Sequence, residues 1–221
     1  MHASQPIAHR LLAEYAAGQR NFDRIDLRES DLSGRQLFDA RFCWADLTGA
    51  NLQNALLNSV NLTGATLWRA NLSDASLLWT NLHKAMLVRC IASNANLSGA
   101  CLHRSDFRLA DLRGACLAGA DLRGAKLCYG DLRGANLTGA DLTGADLTGA
   151  KLRGACLESV CWRAAVLQDG QLKEEQLKKE QLKVGTSPSE EEQDSTQASS
   201  EEKSTQQAAV RGYAPKSLTA V

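Results

Sequence analysis

The sequence predicts an all-β solenoid, a chain that turns a corner every five residues and stacks its turns into a rod, and three observations predict it. A leucine-type residue recurs at every fifth position from Leu27 to Leu167, and of these 29 centres only Phe42, Ala92, Phe107 and Trp162 are not Leu. The residue two before each centre is Ala in 20 of the 29, with Ile25, Val60, Cys90, Gly130 and Val160 among the exceptions, so a second column is small and mostly apolar. Gly closes many of the units, as at Gly49, Gly64, Gly99, Gly114 and Gly134, where a turn needs a permissive backbone. A helix cannot use this pattern, because five residues advance it by about 140° and would smear the leucines around its whole surface. A flat strand fails as well, since an odd period inverts the face at every repeat.

From Ala110 to Leu157 the units Ala-Asp-Leu-Arg-Gly, Ala-Asn-Leu-Thr-Gly and close variants follow one another without a gap. This pattern, Ala-(Asp/Asn)-Leu-(Ser/Thr/Arg)-Gly, resembles the pentapeptide-repeat family. The resemblance implies a right-handed quadrilateral parallel β-helix with four pentapeptides per coil, so that residues 20 apart stack at about 4.8 Å, the ordinary strand spacing. Residues 20–169 are then the repeat, 150 residues or 7.5 coils, which makes a rod roughly 36 Å long at that spacing. A filled column of Leu over Leu and Ala beside Ala leaves no binding cavity inside.

Residues 1–19 are expected to cap the rod. Pro6 to Ala17 carries Ile7, Leu11 and Tyr15 at spacing four with Leu12 beside them and stops at Gly18, which reads as a short amphipathic helix covering the open edge of the first coil. This helix running into the repeats also resembles pentapeptide proteins common in cyanobacteria, including regulatory members that contact another protein. In the first coil Arg35 falls in the small inward column, where a buried charge is costly, so either the coil distorts or Arg35 escapes to solvent.

The coils between Ala40 and Asn94 are regular inside and apolar outside. Leu56, Trp68, Leu78, Trp79, Met86 and Val88 occupy outward columns and Trp44 lies near a corner. Several large exposed side chains in adjacent coils mark a contact surface, whereas single ones mean nothing. Folded on a period of 20, Trp68, Met86 and Val88 share one side, Leu56 and Leu78 the opposite one, and Trp79 a corner. His83 and His103 share an outward column, with Lys84, Arg104 and Cys101 nearby, but a metal site needs three or four convergent ligands, and a ladder of solvated polar side chains is the reading kept.

Between Ala110 and Gly154 the outside is charged. Arg113, Arg133 and Arg153 stack in one column and Arg123 lies on another side, while Asp111, Asp121, Asp131, Asp141 and Asp146 precede the centres. Alternating signs suit a solvated wall, and an anion-binding arginine ladder is the alternative. Val160, Trp162, Val166 and Leu167 are expected to plug the last coil. Residues 170–184 read as a charged helix, because Glu174 and Glu175 precede Lys178 and Lys179 by four, lying over the last coil or projecting from it. Residues 185–221, rich in Ser, Thr, Gln and Glu, read as a disordered tail, acidic from Glu190 to Glu202 and basic again at Arg211 and Lys216.

The chain of 221 residues has a formal net charge of zero and no apolar run near the eighteen or so residues of a membrane span. The opening Met1-His2-Ala3-Ser4-Gln5-Pro6 shows no secretory pattern, which predicts a cytoplasmic location. Seven cysteines without a Cys-x-x-Cys pair, with Cys116 and Cys156 two coils apart in one column and Cys101 and Cys161 three apart in another, predict free thiols.

No catalytic constellation, phosphate loop or cofactor motif emerges, so the expectation is a non-enzymatic binding or scaffolding protein with an unidentified protein partner. The surface expected to carry it is Trp44, Trp68, Leu78, Trp79, Met86 and Val88. The family resemblance supplies a rival, since some members mimic duplex DNA and shield type II topoisomerases. That needs an acidic rod, yet residues 20–169 carry 17 Lys plus Arg against 15 Asp plus Glu. The same near-neutral balance argues against nucleic-acid binding along Arg113, Arg123, Arg133 and Arg153. A homodimer through the C-terminal end stays open.

Overall fold

The computed structural model describes residues 5–167, with side chains from Ile7 onward. The chain opens with α1 (Gln5–Ala16), an α-helix that buries Ala8 and Leu11 and packs Ile7, Leu12 and Tyr15 against the same core. Its end is a Schellman motif: Gln19 N–H reaches back to the Glu14 carbonyl at 2.9 Å and Gly18 N–H to the Tyr15 carbonyl at 3.0 Å, with Gly18 at φ +97°. The Tyr15 hydroxyl donates to the Phe38 carbonyl at 3.1 Å, which ties the helix to the first coil.

From Asn21 onward each five residues make one side of a coil. Every bridge joins residue i to residue i+20 in parallel, from Asn21↔Arg41 to Asp146↔Val166, so four pentapeptides complete a turn and the rod is a four-sided parallel β-helix. Each unit is bonded the same way. In the side around Leu67, the Leu67 N–H donates to Met86 O in the next coil at 2.7 Å, Arg69 N–H to Val88 O at 3.1 Å, and Asn71 N–H back to Ala50 O at 2.9 Å. The corner closes when Ala70 N–H donates to Leu67 O at 3.1 Å while Arg69 holds φ +56°, the signature of a type II turn.

Every corner from Arg24 to Ala164 has positive φ, including bulky side chains such as Trp44, Leu109 and Tyr129. Each such non-glycine corner costs on the order of 1 kcal/mol, so the glycines in the pattern ease the turn rather than define it. What repeats without exception is the turn itself, and it is driven by the two inward columns. Leu27 to Leu147 are buried throughout the centre column, each stabilising the rod by roughly 1.5–3 kcal/mol, and Ala fills the space beside them.

Polar intruders in the small column are satisfied: Thr80 donates to Leu57 O at 2.9 Å and Ser105 to Leu102 O at 2.6 Å. The first coil keeps its bridges, and Arg35 turns outward and is exposed, so of the two outcomes open on sequence the side chain escapes and the coil does not distort. A void lined by Leu37, Phe42, Leu52, Leu57 and Leu62 measures about 10 Å³, too small and apolar to admit a ligand. At the far end Val160 and Trp162 are buried and Leu167 is half-buried, but Val166 stands 52% exposed because it occupies the outward bridge column. The closing charged helix expected at 170–184 and the tail at 185–221 lie outside the described residues.

All seven cysteines are free thiols, with Cys90 fully buried and Cys156 exposed. Burial pushes the Cys90 thiol far above its ordinary pKa, so a thiol reagent at neutral pH should label Cys156 in the folded protein and Cys90 only after unfolding, as read by peptide mass spectrometry. Gly130 occupies the small column, and it lies outside the positive-φ region. A Cβ there would sit 3.0 Å from Leu127 O, the place Ala takes in most other repeats. Gly130→Ala should therefore stabilise the rod by about 0.5–1 kcal/mol in chemical denaturation.

Candidate functional site

With the interior filled, chemistry is confined to the outer wall. Its four sides follow from the register: the His83 side, the Trp68 side (65–69, 85–89, 105–109 and 125–129), the Arg113 side, and the Leu78 side opposite Trp68.

The wall has its own local rule. An Asp or Asn just before the centre turns its Oδ1 to the backbone N–H two residues on, as Asn71 does for Ser73 at 3.0 Å and Asp121 for Arg123 at 3.2 Å. This satisfies a turn donor and explains the (Asp/Asn)-Leu pair in the repeat. Where the acid is followed by Arg, a second contact forms: Arg113, Arg123 and Arg133 each grip Asp111, Asp121 and Asp131 through Nε at 2.8 Å and a second nitrogen at 2.7 Å. These hydrogen bonds hold all three carboxyls below the ordinary carboxylate range. Three of the four candidate anion-ladder arginines therefore already hold carboxylates, whereas Arg153 follows Lys151 and has no acid at that position.

The candidate apolar residues divide. Trp68, Trp79 and Met86 are exposed, at 44%, 71% and 48%, and Trp44 is exposed at a corner. Leu56, Leu78 and Val88 are half-buried rather than free. Their column neighbours shelter them: Leu78 stands between Asn58 and Ser98, and Asn58 Oδ1 accepts from both Leu78 N–H at 3.1 Å and Ser76 Oγ at 2.7 Å.

The structure adds exposed Ile91, Leu109 and Tyr129. Leu109 and Tyr129 stand one above the other at the corner of the Trp68 side, so this side carries Trp68, Met86, Val88, Leu109 and Tyr129 over four consecutive coils. Corner side chains lean onto the next coil. Trp44 lies over Gly64, Trp79 over Gly99 and Tyr129 over Gly149, and a Cβ on any of these glycines would fall within 2.5 Å of the ring. Trp44 thereby reaches the corner from which the Trp68 side starts, while Trp79 belongs to a separate corner.

His83 and His103 stack face to face with ring centroids 5.3 Å apart and planes 4° from parallel. Among the described residues no group of three or more His, Cys, Asp or Glu could hold a metal.

Models of the pentapeptide repeat match eight copies in this chain, over residues 21–64, 36–74, 57–99, 75–114, 93–127 and 131–161. The chain belongs to the pentapeptide-repeat family. Among solved structures, HetL, a pentapeptide repeat protein involved in heterocyst differentiation regulation from the cyanobacterium Nostoc sp. strain PCC 7120, is 32% identical over 74% of this chain and 98% of its own, with a TM-score of 0.32. QnrB1, a plasmid-mediated fluoroquinolone resistance protein, is 18% identical over 75% of this chain and 97% of its own, with a TM-score of 0.40. Rfr23 from the cyanobacterium Cyanothece 51142 is 23% identical over 73% and 93%, with a TM-score of 0.22. No curated protein matches the chain. Among the described residues no helix is long and apolar enough to cross a membrane.

Within a pentapeptide-repeat wall, the same substitution at two corners separates backbone cost from ring packing. Gly139→Ala, with nothing within 4 Å, should cost on the order of 1 kcal/mol from φ alone. Gly99→Ala should cost more and shift tryptophan emission, because its Cβ would lie 2.3 Å from Trp79.

The depressed carboxyls of Asp111, Asp121 and Asp131 set a pH dependence. Their contribution is complete above the unfolded value near 3.9 and is lost as pH falls through the lower folded values. The melting temperature should hold between about pH 7 and 5 and fall below about pH 4. Replacing all three by Asn, which keeps the Oδ1 turn contact, should make that acid fall shallower.

Proposed function

We propose that this chain is a non-enzymatic protein-binding module that works through the outer wall of its rod, principally the Trp68 side with Trp44 at its edge, and secondarily the corner formed by Leu78 and Trp79. The observation that carries this reading is the run of large apolar side chains over four consecutive coils of one side, on a wall that elsewhere is mostly Asp, Asn, Ser, Thr and Arg, with Trp79 and Ile91 exposed singly. Scattered apolar exposure is ordinary, but a contiguous patch rimmed by charge is what interfaces present. Tryptophan, tyrosine and methionine are also enriched at the centres of such interfaces.

The rod suits the task because its register cannot shift: a one-residue slip would expose the leucine column. Backbone positions on the wall are therefore held at fixed spacing, and binding costs side-chain ordering only. Seven free thiols fit a reducing, cytoplasmic setting. The DNA-mimic alternative is weakened by the near balance of charge over residues 20–169 and by the direct pairing of arginines to the very carboxylates that would imitate phosphates.

The test compares the immobilised full chain with two variants in native extract, all checked by circular dichroism. One carries Trp68→Ser, Met86→Ser and Val88→Ser, the other Arg113→Ala, Arg133→Ala and Arg153→Ala. The expected result is a protein partner held by the intact chain and by the arginine variant and lost by the first. Equal capture by all three, or retention of nucleic acid alone, contradicts the reading.

A further inference from the structure

Over residues 65–129 most cations on and beside the Trp68 side stand without a carboxylate. By contrast Arg28, two coils before Trp68 on the same side, and Arg41, Arg113, Arg123 and Arg133 on other sides each hold a carboxylate at 2.8 Å or less. Around the apolar run Arg69 and Arg89 stack at one corner and Lys84 and Arg104 at the other, and all four are exposed, while Lys126 stands exposed on the side itself, stacked on Asp106. Among the described residues none of these four is in an ion pair. The Arg69 guanidinium instead lies over the Trp68 ring, 5.5 Å from its centroid. The one carboxylate on this side between residues 65 and 129 is Asp106, and Arg108 occupies it at 2.7 Å.

Each stacked pair carries two like charges on backbone positions one coil step, roughly 4.8 Å, apart. In water the repulsion is modest, but it grows when a partner excludes solvent, unless that partner brings negative charge. The side thus runs apolar from Trp68, Met86 and Val88 to Leu109 and Tyr129, with Arg69 and Arg89 in line with the last two at one corner and Lys84 and Arg104 at the other. A neutral or basic partner would bury unpaired cations, at a cost. A partner with carboxylates on either flank of an apolar strip would relieve both pairs and cover Trp68, Met86, Val88, Leu109 and Tyr129 together.

We propose that the Trp68 side is the docking site for an acidic segment of a partner protein, whose large apolar side chains lie along Trp68, Met86, Val88, Leu109 and Tyr129 and whose carboxylates seat on Arg69 and Arg89 at one corner and Lys84 and Arg104 at the other. This rests on the reading that the outer wall binds protein, and it adds the chemistry of the partner and the residues that select it. The strip from Trp68 to Tyr129 spans three coil steps, roughly 14 Å, enough for a short segment. Nucleic acid fits the same side poorly. Bases stack on aromatic rings, and here Trp68, with Trp44 at the edge, and Tyr129 offer them at opposite ends, separated by Met86, Val88 and Leu109.

The experiment pans a displayed random-peptide library on the full chain and, in parallel, on folded variants carrying Arg69→Glu with Arg89→Glu, Val88→Ser with Leu109→Ser, and Trp79→Ser. A labelled single-stranded oligonucleotide is titrated separately by anisotropy. The expected result is enrichment of peptides with Asp or Glu flanking large apolar residues. Their affinity should fall about tenfold or more in the first two variants, weaken with added salt, and hold in the third. Arg69→Lys with Arg89→Lys should retain most of the binding.

Enriched peptides that are neutral or basic, or that depend on Trp79 and ignore Arg69 and Arg89, overturn this proposal and leave outer-wall protein binding standing. No enrichment on any side overturns both. Oligonucleotide binding that is lost in the Arg69 and Arg89 charge-reversal variant, without peptide enrichment, assigns the side to nucleic acid and overturns the proposal.

Discussion

The structure depends on the pairing of one large and one small inward side chain on nearly every side of the coils, with Arg35 and Ala92 as departures. Leu at the centre and Ala two residues before it fill the square interior, and the five-residue step between them obliges the backbone to turn where it does. Corner conformation, bridge register and the stacking of residues 20 apart all follow. The corners show how strong the constraint is: Arg69, Leu109 and Tyr129 accept a backbone region that L-residues avoid, because leaving it would withdraw a leucine from the core.

Because the inside is fixed, the outside is free to vary one position at a time. The Asp or Asn before each centre is the exception, since it satisfies a turn N–H, and an Arg two residues later simply closes an ion pair with that acid. Wall positions beyond these carry the individuality of the chain. Over residues 65–129 that freedom is used to place apolar and unpaired basic side chains together on one side, while the neighbouring Arg113 side keeps Asp111 and Asp131 paired to Arg113 and Arg133.

The period of five, the two inward columns and the helical cap were legible in the sequence because each is a direct imprint of burial. The 20-residue stacking came through family resemblance, and from it the grouping of Trp68, Met86 and Val88 on one side followed. Burial of Leu78 and Val88 was not legible from the column alone, because it depends on the size of what stacks above and below, such as Asn58 beneath Leu78. Leu109 and Tyr129 were missed because they occupy the corner position that the pattern associates with Gly. Reading that corner down the chain as 69, 89, 109, 129 gives Arg, Arg, Leu, Tyr, and this would have found them. The Arg–Asp grips are present in the spacing of two, but a sequence shows only alternating signs on neighbouring columns and not which charges meet.

A rigid rod whose backbone does not reorder on binding can discriminate partners by the charge and shape of one side alone. The most direct measurement places a photoreactive benzoylphenylalanine at position 88 on the Trp68 side, or at position 118 on the opposite side, and irradiates the full chain in native extract. The account predicts a discrete protein adduct from position 88 and none from position 118. An adduct from position 118 alone, or from neither position, would contradict it.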